Sequence, residues 1–453
     1  MNVIVVGTGI CGCLSALHLA QQRHSVKVVS MGPDPRMQTH GDHYSATWNG
    51  AGGRFVTAWE AHPYSGDNAL YPDMATAFTR PVQEGGWLGV PLAQYTALEK
   101  AWLDARVHRT QKATRDTAIT HYYQQNNAQA LHLWQKMISD QPELFHNTDL
   151  HDQGIVRVYD NTSDLQQAML LHNHAGFNCA RLSLTDMAAS VPALASACHN
   201  GHIAGGLRVD GITFNIHQLT HNLLTHLDQL GVSFVWNTTV KGVCHNGAGD
   251  ITALTTSTGN LNADAYALHL GAYALPDVLH TMTPEKSIGG VAGRWRLLPR
   301  PSKFTLPIKI HGCQRHESGR AYPAFDISLV PLTERATGQE YLAAGGGYIY
   351  LGFPPYKGKG TEALAFTDQE IDRILKLYLG AAYRDACQSG PMSIPPYSCV
   401  RSFTTDDAPH RTAHPCSGGG FMVVYNGTNT GSTALAPIIS RDVARIIAHC
   451  ETV

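Results

Sequence analysis

Three glycines near the N-terminus have the spacing of a phosphate-binding turn. Gly7, Gly9 and Gly12 directly follow the apolar run at 3–6 and precede an apolar helical stretch. In such a turn the first glycine allows a tight bend, the second lets a pyrophosphate approach the backbone, and the third lets the helix lie close to the strand. The helix N-terminus offers free N–H groups and a partial positive charge to the phosphates. The segment predicts a dinucleotide site, and an ordinary glycine-rich strand-turn-helix is the alternative.

The second strand ends without the acidic residue that usually contacts the adenosine ribose. It covers residues 25–29 and is followed by Ser30, whereas the first acid, Asp34, comes after a Gly-Pro pair. Because that acid normally closes the strand, either Ser30 bonds a ribose hydroxyl or Asp34 reaches back from the loop. Arg36 lies too far into the loop to indicate a 2′-phosphate.

Length and composition bound the architecture and the classes of partner. With 453 residues, 43% of them hydrophobic, the chain can bury a large core, which we expect in two interleaved domains. Only 15% of the residues are charged, and the formal net charge is −2. This balance, without any basic run, predicts no nucleic-acid partner and no binding to an anionic membrane surface.

Cysteine and histidine patterns indicate neither a disulfide framework nor a metal. The ten cysteines are scattered without a CxxC pair, which is typical of reduced thiols in a cytoplasmic protein. The 25 histidines include no HExxH or similar spacing, so we expect no protein-bound metal. The first apolar run has no cationic leader before it and is broken by Gly7 and Gly9, so we expect no signal peptide. No segment approaches about 18 uninterrupted apolar residues, so we expect no membrane insertion.

Predicted helices and strands, which position these residues, follow one another along the chain. They are predicted from apolar periodicity and from turn residues. The predicted elements are a mostly helical stretch from about 92 to 142, a helix from about 217 to 230, a strand at 232–236, a hairpin made of 251–256 and 262–268, and a last helix from 434 to about 448.

The order of these elements resembles the D-amino-acid oxidase superfamily of FAD enzymes. In that superfamily a helix, a GVxxxxNTxV strand, a hairpin and an xxxGAW turn follow one another, and the matching segments here are 231–240 and 271–273. Tyr273 replaces the usual Trp. The resemblance covers nearly the whole chain, is thinnest between about 60 and 170, and implies bound FAD with its pyrophosphate at the N-terminal glycines.

The resemblance also implies further cofactor contacts. They fall on Ser30, Thr47, Trp48, Asn49, Val240, Gly271, Gly427, Asn429, Gly431 and Ser432. Asn49 stands where some members have a histidine linked to FAD. Segment 426–432 resembles the family's GHGGxGF loop, whose backbone N–H groups stabilise negative charge on the reduced flavin ring. An ordinary glycine-rich loop before a helix is the alternative.

A substrate-binding arginine is implied near the C-terminus. Segment 399–409 resembles the family's R-x-x-T-P-D-G-x-P strand and turn, with Thr405 and Asp407 in place of Pro and Gly. In members that oxidise amino acids, an arginine five residues before the Asp of this turn binds the substrate carboxylate, and Arg401 stands five before Asp406. Two parallel N–H groups of a guanidinium suit a carboxylate. An arginine salt-bridged at a strand end is the alternative.

A second resemblance concerns segment 348–354, which is similar to the IYYGFP strand of the sarcosine oxidase group. In that group a cysteine seven residues before the turn Asp carries FAD covalently, and Cys399 stands seven before Asp406. A thioether there requires a reactive thiolate. Because cysteine is readily buried, an inert core Cys399 is the favoured alternative.

The same group places a lysine after the GFP turn to activate oxygen. The matching position falls near Glu362, so Lys357 or Lys359 would have to take that role, and solvated loop lysines are the alternative. Tyr348 or Tyr350 would shape the substrate pocket or bond the substrate. From strand alternation we expect only one of the two tyrosines to face the site, and the motif favours Tyr350.

Together these features predict an α/β protein, with α+β character in its substrate domain. We expect a Rossmann-like FAD-binding domain interleaved with a substrate-binding domain built on a mixed or antiparallel sheet with helices. The predicted FAD-binding domain covers 1–85, 150–275 and 385–453, and the substrate-binding domain covers 86–149 and 276–384.

The predicted function is FAD-dependent oxidation of a C–N bond in a small-molecule amine or amino acid. Hydride transfer to flavin N5 would yield an imine, and oxygen or another electron acceptor would reoxidise the flavin. One alternative is a dehydrogenase that passes electrons to a quinone or a protein. Two others are a flavin hydroxylase that uses NADPH and the flavoprotein half of a macromolecule-modifying enzyme.

Overall fold

Two large β-sheets with packed helices form the described part of the chain. The computed structural model describes residues 1–37, 55–60, 74–112, 117–174, 176–273, 287–301, 304–311, 326–333, 337–389 and 397–449. Its helices are α1 (Ile10–Gln21), α2 (Met74–Ala77), α3 (Ala97–Lys112), α4 (Thr117–Asp140), α5 (Thr162–His174), α6 (Leu184–Ser190), α7 (Ala195–His199), α8 (Ile216–Gln229), α9 (Thr361–Leu379), α10 (Ala381–Gln388) and α11 (Ser432–His449). Within these ranges, no helix combines the length and apolar character needed to span a membrane.

The strands are shorter and follow the apolar, β-branched runs of the sequence. They are β1 (Asn2–Val6), β2 (Ser25–Val29), β3 (Val56–Thr57), β4 (Ile155–Tyr159), β5 (Cys179–Leu182), β6 (Gly205–Val209), β7 (Gly211–Ile212), β8 (Ser233–Val235), β9 (Val240–His245), β10 (Ile251–Thr256), β11 (Gly259–Leu261), β12 (Ala265–Leu268), β13 (Gly289–Pro299), β14 (Ile308–His311), β15 (Ile327–Thr333), β16 (Glu340–Gly352), β17 (Tyr397–Phe403), β18 (His410–Pro415) and β19 (Phe421–Asn426). Short 3-10 helices cover Val82–Glu84, Leu92–Gln94, Pro142–Phe145, Pro192–Leu194 and Gly271–Tyr273.

A six-stranded sheet carries the glycine-rich turn. Its strands β19, β12, β1, β2 and β8 run parallel in that order, and β18 pairs antiparallel with β19 at the edge. Helices α1, α8 and α11 bury apolar side chains such as Leu17, Leu223 and Ile439 in one core cluster with β1 and β2. A parallel sheet covered by helices is the arrangement expected of a Rossmann-like domain, and the predicted fold class is confirmed.

A three-stranded sheet of β9, β10 and β11 packs with the opposite face of this sheet. The predicted hairpin is therefore wrong, because β10 pairs with β9 and β11. Strand β12 instead lies between β1 and β19, parallel to both. Its fully buried run Ala265–Leu268 explains this place, since a strand buried on both faces suits the middle of a parallel sheet.

An eight-stranded sheet forms the second layer. Its order is β17, β13, β16, β15, β14, β4, β6 and β5, and its neighbours are antiparallel except for the parallel pair β14 and β4. One face packs with α6, α7, α9 and α10, with Ile371 and Leu375 of α9 among the buried contacts. We call the opposite face, which carries Tyr348, Tyr350 and Cys399, the inner face. This mixed sheet agrees with the sheet expected for the substrate-binding domain.

The two large sheets meet at the C-terminal segment. The backbone N–H of Asn429, in the loop before α11, donates to the carbonyl oxygen of Ser402 in β17 at 2.9 Å. From α4, the indole N–H of Trp134 donates to the carbonyl oxygen of Thr433 at 3.0 Å. The start of α11 therefore lies between the eight-stranded sheet and α4.

Sheet membership does not follow the predicted domain boundaries everywhere. Strands β4, β5 and β6 lie in segment 150–275, and β17 lies in segment 385–453, yet all four belong to the eight-stranded sheet. Helix α4, within 86–149, packs with α11. The chain thus crosses between the two sheets more often than the predicted boundaries imply, and the boundaries stay a prediction.

Candidate active site

The glycine-rich turn has the shape that a pyrophosphate requires. Gly7 has φ +104°, and a Cβ there would lie 2.4 Å from the carbonyl oxygen of His269. A Cβ on Gly12 would lie 1.9 Å from the carbonyl oxygen of Gly7, whereas a Cβ on Gly9 would meet nothing within 4 Å. Gly7 and Gly12 therefore close the turn, and Gly9 leaves its outer side open for a ligand.

The N-termini of α1 and α11 lie side by side at this turn. The thiol of Cys11 donates to the carbonyl oxygen of Ser432, with 3.6 Å between Sγ and O. Burial raises the pKa of Cys11 to about 12, so the thiol stays neutral. Gly9, the N-cap of α1, has no side-chain cap. Two helix starts with their free N–H groups therefore lie close together, an arrangement that suits an anionic ligand.

One side-chain hydrogen bond and one backbone hydrogen bond hold the loop before α11. The Asn426 amide donates to the carbonyl oxygen of Gly271 at 2.8 Å, which joins the two predicted cofactor turns. Gly427 has φ +75° and Asn429 has φ +51°. The backbone N–H of Gly431 donates to the Thr428 carbonyl at 2.8 Å.

At the end of β2, the hydroxyl of Ser30 lies 2.9 Å from that of Thr8, next to the glycine-rich turn. The Asp34 carboxylate instead accepts hydrogen bonds from the Arg36 guanidinium, at 2.7 Å for the shortest. Arg36 also pairs with Asp228. Because Asp34 is held in this ion pair, Ser30 is the better placed of the two residues for a ribose hydroxyl.

Val240 begins β9, an edge strand within the described residues, and its side chain is buried. Gly271 has φ +56° and begins the 3-10 helix after β12. Thr47, Trp48 and Asn49 lie outside the described residues. Contacts of these five residues with a cofactor stay predictions.

Arg401 lies on the inner face with its guanidinium flat against β13 and β16. Its Nη1 donates to the carbonyl oxygen of Gly347 at 2.9 Å, and its Cζ lies 4.7 Å from the ring centroid of Tyr348. The space for it exists because Gly293 has no side chain. Ser402, the next residue, is bonded to Asn429 of the loop before α11. Arg401 is therefore adjacent to the predicted cofactor loop.

The expectation that strand alternation turns Tyr348 and Tyr350 to opposite faces is wrong. Residues two apart in a strand share a face, and both rings lie in one inner-face cluster. The ring of Tyr350 is fully buried and stacks on Trp102 at 4.9 Å. Tyr348 is 9% exposed, stacks on Trp87 at 4.5 Å, and contacts Arg401. Tyr348, rather than Tyr350, is thus the tyrosine beside the predicted carboxylate site.

Cys399 lies on the same strand as Arg401 and is 4% exposed. Trp295, Tyr341 and Val330 are members of its apolar cluster. This burial is the environment expected of an inert core cysteine.

The lysines after the GFP turn have different places. Lys357 is exposed. Lys359 is not a solvated loop lysine, because its ammonium lies 3.0 Å from the Glu99 carboxylate and donates to the carbonyl oxygen of Phe353 at 2.9 Å. Glu362 is exposed at the start of α9. Lys359 therefore fastens the turn after β16 to α3.

A buried ion cluster on the inner face was missed by the sequence analysis. The Arg157 guanidinium lies 2.9 Å from Glu60, and the Lys309 ammonium lies 3.5 Å from Glu60 and 3.7 Å from Asp326. His311 lies 3.2 Å from Asp326. The sequence does contain a sign of this cluster, because Arg157 and Lys309 each interrupt an apolar strand. A charge in such a run requires a partner once the strand is buried.

Electrostatics keep this cluster charged but balanced. Burial raises the pKa of Glu60, but Lys309 and Arg157 outweigh it and hold that pKa below the usual value. Burial lowers the pKa of Lys309, but Glu60 and Asp326 hold it above the usual value. Burial lowers the pKa of His311, which favours its neutral ring at neutral pH. The cluster therefore fastens residues 55–60 to the sheet.

A cavity of about 180 Å³ lies elsewhere, among Trp59, His172 and Phe177. None of the described site residues predicted from the sequence lines it. The cavity therefore does not mark the site built from the glycine-rich turn, α11 and Arg401.

Comparisons with known proteins agree with this fold. A D-amino acid dehydrogenase of Neisseria meningitidis serogroup C is 26% identical over 317 residues, 68% of this chain and 69% of the relative. The structure of glycine oxidase from Geobacillus kaustophilus matches with a TM-score of 0.63 at 15% identity, covering 99% of this chain and 95% of that one. Iminodiacetate oxidase from Chelativorans sp. BNC1 matches with a TM-score of 0.64 at 13% identity and the same two coverages, 99% and 95%. The family of FAD dependent oxidoreductases named DAO matches residues 2–446, and the chain therefore belongs to this family of FAD-dependent enzymes.

Proposed function

We propose that this protein oxidises the C–N bond of an amino acid and that Arg401 binds the substrate carboxylate. The observation that carries the proposal is the hydrogen bond between Ser402 and Asn429, which sets Arg401 beside the start of α11. Bound FAD supplies the two-electron acceptor for this oxidation. The named relative, a D-amino acid dehydrogenase, supports an amino acid as the substrate.

The proposed cofactor contacts divide between the two ends of FAD. Gly7, Gly9 and Gly12 with the start of α1 would hold the pyrophosphate, and Ser30 would contact the adenosine ribose. The proposed contacts of the other parts are Thr47, Trp48, Asn49, Val240, Gly271, Gly427, Asn429, Gly431 and Ser432. The open outer side of Gly9 supports the first set, and the adjoining start of α11 supports the last four.

Arg401 keeps donors for a substrate. One nitrogen of its guanidinium is engaged with Gly347, and a planar guanidinium offers two further parallel N–H groups to a carboxylate. The stacked rings of Tyr348 and Trp87 form an apolar wall beside it. A wall that excludes water disfavours an ammonium group, so it supports binding of the substrate amine in the neutral form that oxidation requires.

The electron acceptor is a separate part of the proposal. The sequence predicts oxygen as the electron acceptor. A quinone or a protein is the second candidate. Two observations favour the second candidate: Lys359 is engaged with Glu99, and the relative is named a dehydrogenase. Oxygen consumption measured against reduction of an artificial dye, with the same amino acid, separates the two.

Cys399 gives a direct test of covalent attachment. We expect acid precipitation of the protein to leave the yellow colour in the supernatant, because Cys399 is packed among apolar side chains. Colour in the pellet that is lost in Cys399→Ala would establish the covalent linkage instead.

Anaerobic mixing with a panel of D- and L-amino acids tests the function. We expect at least one amino acid to bleach the flavin absorption without NADPH, and bleaching by NADPH alone would overturn the proposal. Arg401→Ala should raise KM for that amino acid at least about tenfold, roughly 1.4 kcal/mol or more. The exposed Arg384, changed to Ala, is the matched control and should leave KM unchanged. An unchanged KM in Arg401→Ala would remove the carboxylate site.

A further inference from the structure

The turn after β17 contains a buried ion pair at an unexpected position. Asp407 stands where the family resemblance places a glycine, and it adopts φ +64°. Its Oδ1 lies 2.7 Å from Nη2 of Arg106 on α3, and the two side chains are 0% and 1% exposed. An isolated buried charge is costly, so each partner depends on the other. A chain with glycine at this position would lack the Asp407 carboxylate that pairs with Arg106.

Arg106 also holds the backbone of this turn. Its Nη1 donates to the carbonyl oxygens of Thr404 and Thr405, each at 3.3 Å. Its Cζ lies 5.4 Å from the ring centroid of Phe78. One side chain of α3 thus fixes both the charge and the backbone of segment 404–407.

The same turn is bonded to the loop before α11. The Asn429 amide donates to Oδ1 and to the carbonyl oxygen of Asp407, each at 3.2 Å. The hydroxyl of Tyr123, from α4, donates to that carbonyl oxygen at 2.6 Å. The backbone N–H of Asn429 is in turn bonded to Ser402. Asp407 is therefore one hydrogen bond away from the loop proposed to lie beside the flavin ring.

Polar atoms left over at this junction point toward a ligand. Oδ2 of Asp407, Oδ1 of Asn429 and Oγ1 of Thr404 are buried and have no hydrogen-bond partner among the described residues. Buried oxygens without partners are rare in folded proteins. The charges lie in an interior where water screens them weakly, so a nearby ring that changes charge on reduction would feel an imbalance between them.

We propose that Arg106 and Asp407 are positioning residues for FAD: they fix the loop before α11 and balance the charge that the flavin ring experiences. The inference rests on the proposed FAD site at Gly427, Asn429, Gly431 and Ser432. Replacing either residue by a neutral one removes a charge of known sign beside that site. The two single variants should therefore change the electron affinity of the flavin in opposite directions.

Sulfite binding to the FAD-bound protein tests this sign. Sulfite is an anion that bleaches the visible flavin absorption when it binds, and a positive charge near the ring strengthens its binding. We expect Asp407→Asn, which removes the negative charge beside Arg106, to lower the sulfite Kd at least about tenfold, and Arg106→Met, which removes the positive charge, to raise it at least about tenfold. The double variant should return to within about threefold of the parent protein. Reduction potentials, measured against a reference dye, should shift upward and downward correspondingly.

A structural role alone gives a different result. Loosening of the loop would move both single variants in the same direction, and either that outcome or an unchanged Kd in both overturns the inference. Lys136→Met, which breaks the exposed pair with Asp140, is the matched control and should bind sulfite like the parent. If the two single variants lose FAD, Asp407→Gly serves instead, because glycine readily adopts φ +64°. Weaker or unchanged sulfite binding in Asp407→Gly then overturns the inference.

Sulfite binding needs no amine, so this test is independent of the substrate. Failure of every amino acid to bleach the flavin would remove the proposed function and leave the sulfite result interpretable. A parent protein that holds no FAD would remove both proposals, and its lack of yellow colour would show this first.

Discussion

Gly293→Ala should disable the proposed carboxylate site by displacing Arg401, without replacing any residue proposed to contact the substrate. An alanine Cβ at this position would lie 2.3 Å from Nη2, 2.7 Å from Cζ and 2.8 Å from Nη1 of Arg401. Ordinary contact begins at 3.4 Å, so the guanidinium has to move by about 1 Å. The guanidinium is the end of a flexible side chain, so it can move while the sheet stays in place.

The size of the effect follows from what this movement breaks. The hydrogen bond from Arg401 to the Gly347 carbonyl, 2.9 Å long, and the contact with the Tyr348 ring both depend on the present position of the guanidinium. A charged hydrogen bond contributes about 1.5–3 kcal/mol, and half-burial of Arg401 places this one near the lower end. A binding group misplaced by about 1 Å weakens binding roughly 10-fold to 100-fold, which is about 1.4–2.8 kcal/mol.

The assay measures the Kd of a carboxylic acid without an amine, by the change it causes in the visible absorption of bound FAD. Gly345→Ala is the matched control, since its Cβ would lie 2.3 Å from the Trp295 ring on the same face of the sheet. Both variants should lose about 1–3 kcal/mol of unfolding free energy in urea, because both overpack the core. Only Gly293→Ala should weaken carboxylate binding.

Two results would refute this reasoning. A folded, FAD-bound Gly293→Ala protein with the parent's Kd would mean that the position of the Arg401 guanidinium does not determine carboxylate binding. Equal weakening in Gly345→Ala would mean that binding responds to general overpacking of the inner face.

Three further predictions concern the cofactor turn, pH and oxygen. Gly9→Ala should fold and bind FAD more weakly, because its Cβ enters open space, whereas Gly12→Ala should lose about 3 kcal/mol or more of unfolding free energy, because its Cβ lies 1.9 Å from a carbonyl oxygen; FAD titration and urea unfolding separate the two. Burial lowers the pKa of His269 from 6.5 to about 4, so the unfolded chain binds more protons between those values and stability falls by up to about 3 kcal/mol as pH decreases from 6.5 to 4. His269→Gln should flatten this part of a pH-dependent unfolding curve, and an unchanged slope would contradict the assignment. Lys359→Met should cost about 1 kcal/mol, since Lys359 is 33% exposed where it pairs with Glu99, and leave the stopped-flow rate of flavin reoxidation by oxygen unchanged.

Local features of the chain were predictable because they depend on neighbouring residues. The second strand was predicted at 25–29, and β2 covers those residues. The helix predicted from about 217 to 230 is α8, Ile216–Gln229, whose start is capped by the side chain of Asn215. The family and its FAD cofactor followed from motifs of the same short range and are confirmed.

Two of the errors concern which distant segments meet. The predicted hairpin is wrong because β12 pairs with β1 and β19. Lys359 was predicted to be solvated because its partner, Glu99, lies 260 residues away in the chain and is not evident from the local sequence. The face shared by Tyr348 and Tyr350 is a different case, since strand periodicity alone predicts it.

Glycine spacing and motif order predicted the phosphate-binding turn and the family, because both are properties of contiguous residues. The resemblance to that family implied Arg401 as the residue that binds a carboxylate, and this role stays a prediction. Packing of the sheets places Arg401 against Gly293 and Tyr348 rather than in a surface ion pair. Packing of α3 against the turn after β17 likewise brings Arg106 to Asp407. The physical reason is that a buried charge is tolerated only beside its partner, and the partner is brought there by packing of helices and sheets that lie far apart in the chain.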